Sequence, residues 1–265
     1  DVVIGSSGAR IGARDNGSLT VSGVIDDGAN TYSLGISADA NGGVVTLANQ
    51  STYGGGTTLY RGTLRLGTND ALPTATVLSM GGAGDALSFD LGGYSQRVAG
   101  LSESSGPSKV VTNSGASLSV LTVSNVNNYV YGGTIDGNIA LVKSGSGTQS
   151  LTNQSTYTGS TTIGGGILQL GHAGALGATN GGTVASGGTL QLSDGVSVGG
   201  ETVTINGNGA SNLGALQAGS GAAATWAGEV VLGSDLARIG AQSGGELTVS
   251  GVIDDGANSY GLDIS

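Results

Sequence analysis

Asp26, Asp27 and Asn30 sit together in the stretch DDGAN, and the same letters return at 254–258 with Asp254, Asp255 and Asn258. Carboxylate and amide oxygens at this density are the ligands of a hard cation, which makes these residues candidate calcium ligands. A calcium site takes about six to eight oxygens, and the spacing follows neither the EF-hand loop nor the nonapeptide of calcium-binding β-rolls. Asp-Gly and Asn also favour tight turns. A turn is the preferred reading of both copies, with calcium as its alternative.

Other chemistry is sparse. Asp85, Asp90 and Arg97 form the one local mixture of carboxylates and a guanidinium. A polysaccharide hydrolase would need such a group gathered at a set separation. The related stretch 104 residues further on does not reproduce it, which favours a solvated face. His172, the one histidine, stands where the sister stretch has Thr68 and reads as an exposed turn residue. There is no cysteine, so disulfides and thiolate metal sites are excluded. No Ser-His-Asp motif is present. The residues predict no catalytic group, no cofactor and no obligatory metal.

The elements that would carry these residues are strands. Glycine supplies 54 of 265 residues, far above the usual ~7%, yet it shows no three-residue period and proline occurs twice, which excludes collagen. Hydrophobic residues make up 37% and charged residues 10%, the opposite balance to a disordered chain. Short stretches such as GSLTV (17–21), GTLRL (62–66), GGILQL (165–170) and GTLQL (188–192) alternate apolar and polar positions after a glycine. That period of two belongs to half-buried strands, and no stretch shows helical periodicity. The formal net charge of −10 makes nucleic acid an unsuitable partner, and no apolar run is long enough to span a membrane as a helix.

The chain repeats itself at two scales. Residues 2–37 align without gaps to 230–265, an offset of 228, and 46–72 pair with 150–176, an offset of 104. Units of about 22 residues, each with short strands and glycine turns, predict an all-β chain. The expected fold is a right-handed parallel β-helix of about 11–13 rungs, running through 1–265 as one continuous segment. Inward Leu, Val and Ile would stack into apolar columns. Asn49 and Asn153 would hold turns or form amide ladders, and Tyr53 and Tyr157 would pack at rung edges. Trp226, the one tryptophan, reads as buried against an adjacent rung.

NQSTYGGGTTLYRGTLRLG and NQSTYTGSTTIGGGILQLG resemble the autotransporter-associated β-strand repeat of passenger domains. YGGTIDGNIALVKSGSGTQSLTNQSTY (131–157) is similar to the longer form of that pattern, in which a Lys-x-Gly-x-Gly turn precedes the motif. The resemblance implies a β-helix on the outside of a bacterium, extracellular or at the cell surface, within a large secreted protein.

Together these readings predict a non-enzymatic structural segment of a long repetitive surface protein, a window onto a rod, stalk or fibre with an adhesive or protective role. The alternatives are a dedicated adhesin and, further off, a carbohydrate-active β-helix enzyme. The expected partners are further copies of the repeat end to end, and cell-surface or matrix glycans or neighbouring rods.

Overall fold

A computed structural model describes residues 1–38, 42–81, 86–103, 108–178 and 182–265. The protein is a parallel β-solenoid of about 11 turns. Helix among the described residues is confined to one 3₁₀ turn, Ala210–Asn212. The chain forms two compact units: Asp1–Val123 with Tyr131–Ile139, and Ser124–Val130 with Ala140–Ser265.

In the first unit, alternation places every second residue inward, and parallel pairing puts like on like. Leu19, Val45, Leu64, Phe89, Val111 and Ile135 stand in register on six successive strands. On an adjoining face Ile11, Ile36, Leu59 and Met80 do the same. The long strand Thr57–Leu66 serves both faces by turning at its middle, where its first half pairs with Leu34–Ser37 and its second with Val44–Leu47. Most of these side chains are fully buried. Each contributes roughly 1.5–3 kcal/mol of burial free energy.

The second unit repeats the scheme on three faces. Leu168, Leu190, Leu216, Ile239 and Ile264 form one column. Ile163, Ala185, Ile205 and Leu232 form another, and Val198, Trp226 and Val249 a third. Among the described residues the strands pair between positions roughly 20–30 apart, as coils of this length require.

Glycine is required where coils approach closely. Gly166 has φ 61°, and a Cβ there would meet the carbonyl oxygens of Gly145 and Gly147 and lie 2.9 Å from Lys143 Nζ. No L side chain is compatible with both the conformation and the space.

Candidate functional site

The two DDGAN stretches form matching turns. Asp26 Oδ1 accepts the Gly28 N–H at 2.5 Å, and Asp254 Oδ1 accepts the Gly256 N–H at 2.8 Å. Asp27 is 2% exposed, and its Oδ2 accepts the N–H groups of Tyr32 at 2.7 Å and of Gly54, on the following coil, at 3.1 Å. Asp255 Oδ2 accepts the Tyr260 N–H at 2.8 Å. The amides of Asn30 and Asn258 donate to the carbonyls of Asp27 and Asp255, both at 2.8 Å. These carboxylate oxygens are engaged by backbone donors. Among the described residues no group of three or more His, Cys, Asp or Glu side chains comes together as a metal site.

Asp85 lies outside the described residues. Asp90 and Arg97 engage different partners. Asp90 Oδ2 takes Arg65 Nε and the Ser114 hydroxyl, each at 2.7 Å, while Oδ1 takes the N–H groups of Gly92 and Ser114. Burial pushes the Asp90 carboxyl up, but these hydrogen bonds outweigh it and hold the carboxyl below its usual range. The Arg97 N–H donates to Asp70 Oδ1 at 2.8 Å. His172 Nδ1 accepts the Gly174 N–H at 3.0 Å inside its own turn.

Asn49 and Asn153 are exposed, and each Oδ1 accepts the next residue's N–H at 2.9 Å. In the second unit Gln169 Nε2 donates to Gln191 Oε1 at 3.0 Å, an amide-to-amide contact between successive coils, and Ser150 Oγ donates to Gln169 Oε1 at 2.6 Å. Tyr53 and Tyr157 are buried, 1% and 0% exposed. Tyr53 Oη meets Thr57 Oγ1 at 2.5 Å, and Tyr157 Oη meets Thr161 Oγ1 at 2.6 Å. Burial pushes both phenols well up, against the pull of the threonine bonds. The same Tyr-to-Thr pair at the same spacing is the structural signature of the inner repeat. Trp226 is fully buried, with its indole N–H donating to the Glu229 carbonyl at 3.3 Å.

Among the buried ionisable groups that escaped the sequence reading are Lys143 and Glu201. Lys143, the lysine of KSGSG, is 0% exposed, and its ammonium donates to the carbonyls of Ser144 (2.7 Å), Gly145 (3.1 Å) and Gly165 (3.1 Å). Burial lowers it to about 8. It ties a glycine turn to the coil that follows. Glu201 is 3% exposed and accepts the Thr183 hydroxyl at 3.2 Å. Burial raises this carboxyl to about 7, with the Thr183 bond pulling the other way. A lysine in a Gly-Ser turn and a glutamate after Gly-Gly both read as solvent-facing, so sequence carried no signal of either.

Stacked parallel coils, in-register aliphatic columns and a buried Tyr-to-Thr bond in each long repeat define a repeat-built β-solenoid. Residues 40–66 and 141–170 match the passenger-associated-transport-repeat, and the chain carries repeats of the autotransporter passenger type. It is 39% identical over 128 residues to the adhesin BmaC autotransporter of Brucella suis biovar 1 (strain 1330). That stretch is 48% of this chain and 4% of the adhesin, so the chain spans a small fraction of that protein's length. No solved structure matches the chain.

Proposed function

We propose that the chain is a non-enzymatic structural segment of a long secreted surface protein, whose repeats lengthen a rod, stalk or fibre with an adhesive or protective role. The observation that supports this most is the reuse of register at an offset of 228. Val2 and Val3 pair with Ile25 and Asp26, and Val230 and Val231 pair with Ile253 and Asp254. Ala9, Arg10 and Ile11 pair with Leu34, Gly35 and Ile36, and Ala237, Arg238 and Ile239 pair with Leu262, Asp263 and Ile264. A duplicated sequence that also keeps its strand partners is a module that adds coils without altering their contacts.

The same logic names the partner. In the first period Ser18–Val21 is covered by Val44–Leu47, and Leu34–Ser37 by Thr57–Leu66. The corresponding strands of the second period are Glu246–Val249 and Leu262–Ile264. Appending a copy of residues 38–72 after Ser265 is therefore expected to slow hydrogen exchange of the amides of Glu246–Val249 and Leu262–Ile264 by tenfold or more, without loss of solubility. Unchanged exchange there would show that the repeat does not propagate.

A further inference from the structure

Two turns on successive coils of the first unit enclose a hollow of about 240 Å³. Gln50, Ser51 and Thr52 come from one turn, and Asp70, Pro73 and Thr74 from the next. The turns are fastened together, since the Ser51 N–H donates to the Ala71 carbonyl and Gln50 Nε2 to the Asn69 carbonyl, both at 3.0 Å.

The lining is short of charge and rich in unused hydrogen-bonding groups. Asp70 is its one ionisable residue, and among the described residues no lysine, arginine or histidine lines it. Asp70 Oδ1 accepts the Arg97 N–H of the following coil at 2.8 Å, which fixes the carboxylate, and Oδ2 accepts no bond among the described residues. Gln50 Oε1 and the hydroxyls of the exposed Thr52 and Thr74 are unused in the same sense. Ser51 is 6% exposed, and its hydroxyl has no partner. An enclosed hydroxyl without a partner is a cost that a ligand hydroxyl would remove.

The sister turn, 104 residues on, keeps half of this lining. Gln50, Ser51 and Thr52 return as Gln154, Ser155 and Thr156, but Asp70, Pro73 and Thr74 become Gly174, Gly177 and Ala178. The carboxylate, the ring and one hydroxyl are therefore particular to the first repeat. Asp70 also holds φ 51°, a left-handed conformation that glycine takes with least strain.

We propose that this hollow binds one neutral sugar ring of a glycan. The inference deepens the adhesive part of the reading above and rests on it. A pyranose presents hydroxyls that both donate and accept, which suits a fixed carboxylate, an amide oxygen and three hydroxyls. Pro73 adds a rigid apolar wall for a ring face. A lining without cations does not suit sulfate, carboxylate or phosphate groups. One carboxylate falls short of the roughly six to eight oxygens of a calcium site. The hollow is smaller than the roughly 300–1,000 Å³ of a pocket that engulfs a drug-sized ligand, so one copy binds weakly. A rod that carries the hollow once per 228-residue period turns weak sites into firm attachment through avidity.

The test is saturation-transfer NMR on the whole chain with methyl glycosides of glucose, galactose, mannose and N-acetylglucosamine, and with methylamine as a cationic probe. We expect at least one glycoside to bind, with amide shifts in labelled protein centred on residues 50–52 and 70–74, and methylamine not to displace it. Asp70→Asn keeps an acceptor for the Arg97 N–H and removes the charge, and should weaken binding about tenfold. Asp194→Asn should leave binding unchanged, although Asp194 makes the same kind of coil-to-coil bond, to the Ala223 N–H at 2.9 Å. Asp70→Gly with Thr74→Ala, which converts the wall to that of the sister turn, should abolish binding while circular dichroism stays that of the wild type. If this double variant unfolds, Asp70→Asn decides. No binding by any of the four glycosides, shifts centred elsewhere, full binding by Asp70→Asn, or displacement by methylamine would overturn the proposal. Thin rods in electron microscopy from a protein that binds no glycoside would overturn it while leaving the structural reading in place.

Discussion

Trp226→Ala is expected to destabilise the second unit by about 3–5 kcal/mol. The indole is fully buried, flanked in register by Val198 on one coil and Val249 on the next. Removing it leaves a cavity on a column with one large member per rung, where rigid parallel strands cannot close in from either side. The loss should appear as a fall of about 10 °C in the melting temperature followed by circular dichroism. Trp226→Phe should recover much of that loss, since it fills part of the volume and gives up the 3.3 Å bond to Glu229. A melting temperature unchanged by Trp226→Ala would mean that this column does not hold the unit together.

Glu201→Gln is expected to stabilise the protein at neutral pH by about 3 kcal/mol, most of the cost of ionising a buried carboxyl at this site. The folded pKa of Glu201 is raised to about 7 from a reference value of 4.5. Between those values the unfolded chain has released the proton that the folded chain keeps. The contribution of Glu201 to stability is therefore fully present below about pH 4.5, falls as pH rises and is gone above about pH 7. Urea denaturation followed by Trp226 fluorescence at several pH values should show the difference between wild type and Glu201→Gln growing from near zero at pH 4.5 to its full size at pH 7.5. Glutamine keeps the acceptor for Thr183, so the bond at 3.2 Å is not lost in the comparison. A difference that is constant with pH would show that Glu201 titrates normally.

The columns were legible because a period of two and a repeat of about 22 residues together say which side chains face inward and what lies above them. Leu168 over Leu190, 22 positions on, is an instance read from spacing alone and found in register. The burial of Tyr53 and Tyr157 was less legible. A tyrosine in a Ser-Thr-Tyr-Gly stretch carries a polar tip, and what draws it inward is the hydroxyl of a threonine four residues on, visible only once the turn is folded. Glu201 and Lys143 were illegible for a stronger reason. Their neighbours in space come from coils about twenty residues away, Thr183 for one and Gly165 for the other, and local sequence does not report burial from such a distance.

Electron microscopy of the native full-length protein tests the central claim most directly, because a repeat that exists to add length must show that length. About ten coils per 228-residue period, at the strand spacing, give an axial repeat of roughly 45–55 Å. The account predicts thin rods or filaments that carry this repeat. Compact, monodisperse particles without an axial repeat would contradict it.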